Sequence, residues 1–201
     1  MSKGPKQVLI IRHGEKCGDP KQEDDGGNNL SIRGSARAIA LPSLFAPAQS
    51  QLACDLVLDL DPLNFAGVYE TIPIKGTRPR FPTPEAIFAT AQSKHSQRPI
   101  ETVTPLAIAL NLHLNDRFAD KDADIDEMVN VILNQRGFLD KTILICWHHG
   151  KIPQIAKAFG IRKPPKWDGK VFDRVWQLSF AKGKAKLEDL PQMLLYGDSS
   201  K

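Results

Sequence analysis

The sequence predicts an α/β protein: three layers, α/β/α, around a mostly parallel central sheet. Three observations lead there. Val8–Ile11, Ala86–Thr90 and Thr142–Trp147 are short apolar runs of strand length, rich in branched or aromatic side chains. Segments with helical spacing lie between them, where hairpin turns would join antiparallel strands, and strand–helix alternation implies parallel pairing. The run Thr142–Trp147 is the most apolar, so it is expected at the centre of the sheet with both faces covered. A chain of 201 residues suffices for one substantial core and is short for two, so a single domain over 1–201 is expected.

The elements follow in order. The first strand runs directly into Arg12-His13-Gly14-Glu15, with Gly14 read as permitting a sharp exit. Residues 17–29 are polar and rich in Gly, Asp and Lys, hence a loop. Ser31 is a plausible helix cap, with apolar spacing through Ala36, Ile39, Ala40 and Leu44 until Pro47. Residues 55–60 are expected as a short strand and 61–84 as a long proline-rich flap. A helix over 98–110 has Pro99 in its first turn and Ile100, Val103, Ala107 and Leu110 on one face. Another, over 125–135, turns Met128, Val129, Ile132 and Leu133 inward and ends before Gly137. Pro153 opens a helix over 152–159, and 171–180 is expected as the final strand.

Composition narrows the function classes. Apolar residues make up 41% and charged residues 25%, ordinary values for a globular protein, with no run long enough to span a bilayer. No leader pattern precedes the first strand, and Cys17, Cys54 and Cys146 cannot all pair within one chain, so a reduced, cytoplasmic setting is expected. A net charge of +4 tolerates an anionic ligand. The basic clusters at Arg162, Lys163 and Lys166, and at Lys182, Lys184 and Lys186, lack interleaved aromatics, which argues against nucleic acid.

Basic side chains recur at strand ends. Arg12 and His13 end the first strand, Arg98 follows the second at the mouth of a helix, and His148, His149 and Gly150 end the central one. In a parallel sheet these loops share one edge, where α/β proteins bind ligands. Two guanidiniums with two imidazoles describe a cradle for a phosphoryl group, because arginine matches its planar set of oxygens. A neutral imidazole there can attack phosphorus.

These residues resemble those of the histidine phosphatase superfamily, which includes the cofactor-dependent phosphoglycerate mutases. Arg12-His13-Gly14-Glu15 matches its opening motif, and Leu30-Ser31-Ile32-Arg33-Gly34 is similar to the element that follows. Arg98 with Thr102 looks like the second arginine and its threonine, and His149-Gly150 resembles the second histidine and glycine. Lys94 stands where the family has a serine, with Ser93 and Ser96 flanking it. The resemblance spans about 140 residues and implies a phosphoglycerate mutase-like fold. It also implies a metal-independent, cofactor-free phosphomonoesterase acting on a small phosphorylated substrate.

In that reading His13 becomes a phosphohistidine, while Arg12, Arg98 and His149 hold the phosphoryl oxygens. His148 is read as a packing or orienting group. The proton donor to the leaving oxygen is assigned to Asp116, in Leu114-Asn115-Asp116-Arg117, with Asp120, Asp122 and Glu15 as the other candidates. Three other readings remain: a phosphomutase, a phosphate-binding scaffold on the same fold, and a histidine-cluster metal hydrolase, which the arginines oppose by repelling a cation. Lys75, Arg78 and Arg80 are candidates for a substrate-selecting rim.

Overall fold

The computed structural model describes residues 4–16, 27–46, 80–181 and 183–199. The expected strand at 55–60, most of the flap at 61–84 with Lys75 and Arg78, and Cys17, Cys54, Pro47 and Lys182 lie outside the described residues.

The elements in chain order are β1 (Gln7–Arg12), α1 (Ile32–Ala40), α2 (Pro42–Phe45), β2 (Ala86–Thr90), α3 (Arg98–Ala109), β3 (Leu114–Phe118), α4 (Asp122–Asn134), a 3-10 turn (Arg136–Phe138), β4 (Thr142–Trp147), α5 (Ile152–Ala158), β5 (Arg174–Ala181) and β6 (Lys184–Pro191). The six strands form one sheet in the order β3-β2-β4-β1-β5-β6. The first four are parallel, and β5 and β6 are antiparallel to their neighbours.

β1, β2 and β4 are buried along their whole length, as expected of strands covered on both faces. Their alternate side chains feed two cores. Val8, Ile10, Phe88, Ile143 and Ile145 pack against Ile125, Met128 and Ile132 of α4 and Ile152 and Ile155 of α5. Leu9, Ile11, Ile87, Leu144 and Cys146 pack on the opposite face against Leu41, Leu44, Phe45, Val103 and Leu106. Helices thus cover both faces of the sheet, which completes the three layers.

Several expectations need correction. Ser31 does cap α1, its Oγ accepting the Gly34 N–H at 3.1 Å, but the buried face carries Gly34, Arg37 and Ala38, while Ile39 is 40% exposed. Arg37 can face inward because ion pairs neutralise it. α1 stops at Ala40 and restarts at Pro42, whose ring starts a new first turn but cannot continue the old one. α4 ends at Asn134, and Gly137 sits within the 3-10 turn that follows. The chain does not finish on one strand over 171–180, since β5 turns back into β6. Residues 114–118, to which the sequence pattern assigns no element, form the short edge strand β3.

Candidate active site

The parallel register sets the scaffold. Arg12, at the end of β1, lies opposite Trp147, at the end of β4, and the His13 N–H donates to the Trp147 carbonyl at 3.2 Å. His13 and His148 therefore leave the sheet side by side. Their rings meet edge to face with centroids 5.2 Å apart, and Phe172 closes on His13 from another side at 6.1 Å.

His13 is 3% exposed, and its Nδ1 lies 2.7 Å from the Gly14 carbonyl oxygen. A carbonyl only accepts, so Nδ1 carries the proton and Nε2 keeps its lone pair. Burial holds the imidazole well below its usual pKa, and the charges of Arg12 and Arg98, with electrostatic coupling to His148, push the same way, outweighing the opposing bond to Gly14. The ring is neutral at physiological pH.

Arg12 is held by a loop. Its Nη1 donates to the Gly169 and Val171 carbonyls at 2.7 and 3.1 Å, and its guanidinium stacks on Phe172 at 3.5 Å. Its buried Nε has no hydrogen-bond partner among the described residues. Burial draws Arg12 down to about 10, with Glu15 and Asp168 opposing and Arg98 reinforcing, so it stays charged at neutral pH. Arg98 is 8% exposed and donates through Nη1 to the Gly27 carbonyl at 3.1 Å. Buried Ser96 accepts the Arg98 N–H at 3.4 Å.

Thr102 joins the two basic segments. Its Oγ accepts the Gly14 N–H at 2.8 Å and donates to the Arg98 carbonyl at 2.7 Å. Gly14 and Gly34 are required by space, not by backbone conformation. A Cβ on Gly34 would stand 2.3 Å from the Glu15 oxygen, and one on Gly14 would stand 2.9 Å from the Gly34 oxygen. Glycine thus lets the start of α1 rest directly on the His13 turn.

The structure separates His148 from His149. His148 lies beside His13, where Arg98, His149 and Arg12 add to burial in lowering its pKa and Asp120 opposes them. His149 turns toward the 166–169 segment, where a Cβ on Gly169 would stand 3.2 Å from its ring. Burial lowers its pKa, as do the charges of Arg12, Lys16 and Lys166, against Asp168.

The four carboxylates differ sharply. Asp116 is exposed on the edge strand β3. Asp122 is 68% exposed and pairs with Lys151. Glu15 is committed to Arg37 and Arg33, at 2.7 and 3.0 Å, and despite burial these cations hold it below its usual carboxylate range. Asp120 accepts the Trp147 indole N–H at 2.6 Å and bears electrostatically on His148.

Sequence reasoning missed the 166–172 segment, which supplies two carbonyls and Phe172 to Arg12. The turn signal Trp167-Asp168-Gly169-Lys170 marks a loop there, but nothing local connects it to a residue more than 150 positions earlier.

No family model matches the chain, and no curated protein matches its sequence. Solved structures do. A candidate α-ribazole-5′-phosphate phosphatase from Escherichia coli is 13% identical, over 93% of this chain and 96% of its own, with a TM-score of 0.51. A phosphoglycerate mutase from Bacillus anthracis is 9% identical, over 94% of each chain, with a TM-score of 0.48. A candidate phosphohistidine phosphatase, SixA, from Agrobacterium tumefaciens is 14% identical, over 92% of this chain and 98% of its own, with a TM-score of 0.46. The match to the Escherichia coli structure establishes a shared fold across nearly the whole chain.

Proposed function

We propose that this chain belongs to the histidine phosphatase superfamily and hydrolyses phosphomonoesters through a phosphohistidine on His13. The observation that carries the reading is His13 itself. It is a buried imidazole whose Nδ1–H is committed to the Gly14 carbonyl, leaving the Nε2 lone pair for attack, on a ring that feels the charges of Arg12 and Arg98. Solved structures sharing the fold include one described as a phosphatase of a phosphorylated small molecule, which agrees with this class of substrate.

In the reaction the Nε2 lone pair attacks phosphorus in line, and the bond from phosphorus to the leaving oxygen breaks. Arg12 and Arg98, with an imidazole of the His148–His149 pair, bind the three remaining oxygens and stabilise the charge that spreads over them. The leaving oxygen takes its proton from a carboxylic acid of the stretch that runs from β3 into the first turn of α4 and carries Asp116, Asp120 and Asp122. Water then attacks the phosphohistidine, the conjugate carboxylate accepts its proton, and phosphate departs. The guanidiniums supply the positive charge that a metal provides elsewhere.

The test is hydrolysis of an aryl phosphate in the presence of a chelator. The unaltered chain releases phosphate, acid-labile label appears on His13, and His13→Ala lowers turnover by about a thousandfold or more. Full turnover by His13→Ala removes the nucleophile assignment.

A further inference from the structure

We infer that His148 is the second imidazole of the phosphate cradle, positioned by Asp120 on its Trp147 hydrogen bond, while His149 serves the outer rim. This rests on the phosphatase reading and departs from the resemblance of His149-Gly150 to the family's second histidine.

Three observations carry it. The His148 ring packs edge-on against His13 at 5.2 Å, whereas His149 lies against Gly169. The groups bearing electrostatically on His148 come from several elements around the nucleophile: Arg12 from β1, Arg98 from α3, Asp120 after β3, and His149 beside it. Those bearing on His149 are Arg12, Asp168, Lys16 and Lys166, of which only Arg12 belongs to the cradle. Finally, Asp120 is solvent-exposed, yet its Oδ1 is fixed at 2.6 Å by the indole N–H of Trp147, itself fully buried at the end of β4. An exposed carboxylate is ordinarily free to turn. This one is tethered to the residue immediately before His148.

The chemistry follows from the charges. Burial and the guanidiniums keep His148 neutral at physiological pH, and Asp120 opposes them. A phosphate dianion brings negative charge between Arg12 and Arg98, so His148 takes up a proton as the anion binds. The imidazolium then donates to a phosphoryl oxygen, with the Asp120 carboxylate stabilising it. Lys151 also lies within electrostatic range of Asp120, and it is engaged by Asp122. Asp120 thus acts through His148 and is a positioning residue.

The experiment measures binding of inorganic phosphate across pH, alongside turnover of two aryl phosphates, one with an activated and one with a poor leaving group. His148→Ala and the milder His148→Asn are expected to weaken phosphate binding about tenfold to a hundredfold, and His149→Ala about threefold or less. Asp120→Asn is expected to weaken binding and to move the loss of affinity with rising pH to lower pH. It should slow both substrates equally, and adding it to His148→Ala should cost nothing further. A larger loss in His149→Ala than in both His148 variants overturns the inference. So does an Asp120→Asn defect confined to the poor leaving group, which would make Asp120 the proton donor. If the unaltered chain hydrolyses neither ester and binds no phosphate, the phosphatase reading fails and this inference with it.

Discussion

Replacing Arg37 with methionine probes the most densely bonded side chain outside the cradle among the described residues. Arg37 is 1% exposed. Its Nε and Nη2 reach Glu15 at 3.0 and 2.7 Å, its Nη1 and Nη2 reach Asp198 at 3.0 and 2.8 Å, and Nη1 also donates to Gln192 at 3.0 Å. One guanidinium therefore ties the Glu15 of the opening motif to the carboxyl-terminal segment. A methionine side chain fills similar space but takes the Arg37 donor from fully buried Gln192 and the buried cation from Asp198, which has 2% of its side chain exposed and keeps Arg33 at 3.3 Å with the Leu194 and Leu195 N–H groups. Removing one member of a buried ion pair costs about 3–5 kcal/mol.

Asp198 gives an independent check on that size. Against burial, Arg37 and the Leu194 and Leu195 N–H groups hold its pKa at about 2, from 3.8. That drop corresponds to about 2 kcal/mol of native-state stabilisation from this carboxylate alone. Because the folded pKa is the lower one, the contribution is complete above about pH 5 and fades as pH falls toward 2. The assay is urea unfolding of both proteins at pH 7 and again at pH 3. Arg37→Met is expected to lower the midpoint at pH 7 by the equivalent of about 3 kcal/mol or more, the lower bound for a broken buried pair. The gap should narrow at pH 3. A loss under about 1 kcal/mol at pH 7, the scale of a surface pair, refutes the argument that this network is buried and coupled.

Gly34→Ala forces a methyl group to within 2.3 Å of the Glu15 oxygen and should cost about 1–3 kcal/mol or more, read as a fall in melting temperature; an unchanged melt contradicts the contact. Thr102→Val keeps the side-chain volume but strands the Gly14 N–H, so a loss of about 1–3 kcal/mol and slower turnover are expected in a folded protein, checked by chemical unfolding and aryl phosphate hydrolysis. The His13 imidazole should remain neutral well below pH 6.5 in a pH titration followed by NMR, whereas a midpoint at or above 6.5 would remove the argument from burial. The linked effect on stability has a definite sign. Unfolded His13 takes up a proton below pH 6.5 and folded His13 does not, so acidification through that range favours unfolding, and His13→Asn should blunt the slope.

How far these features can be read from the sequence depends on the range of the interactions that produce them. β1, β2 and β4 are buried on both faces, so local composition suffices, and the basic residues that follow them inherit their place at one sheet edge from parallel pairing alone. The edge strands behave otherwise. β3 carries Asn115, Asp116 and Arg117, and β6 mixes Lys184, Lys186, Glu188 and Asp189 with small or apolar residues, because an edge strand meets water and is spared continuous apolar character. Neither has the composition that betrays a central strand.

Buried charge is the harder case, and Arg37 shows why. By periodicity it belongs on the wet face of α1, which is why Ile39 was expected inside instead. What turns the helix is Asp198, 161 positions away, together with Glu15 and Gln192. The same segment reaches the other side of the cradle, since Gln192 N–H donates to the Asp173 carbonyl and Ser199 N–H to the Asp173 side chain, next to the Phe172 that covers Arg12. Residues 192–199 are thus linked through Arg37 to Glu15, two places after His13, and bonded directly to Asp173, beside the loop that holds Arg12. Such a clasp leaves no mark in a hydrophobic pattern, because each partner, taken alone, reads as an ordinary polar side chain in water. Its consequence is mechanical. Weakening Arg37 should loosen the Glu15 side and the Phe172 side of the site together, so Arg37→Met should also lower phosphate affinity even though Arg37 lies outside the cradle. Unchanged phosphate affinity in a folded Arg37→Met protein would show that the clasp serves stability alone.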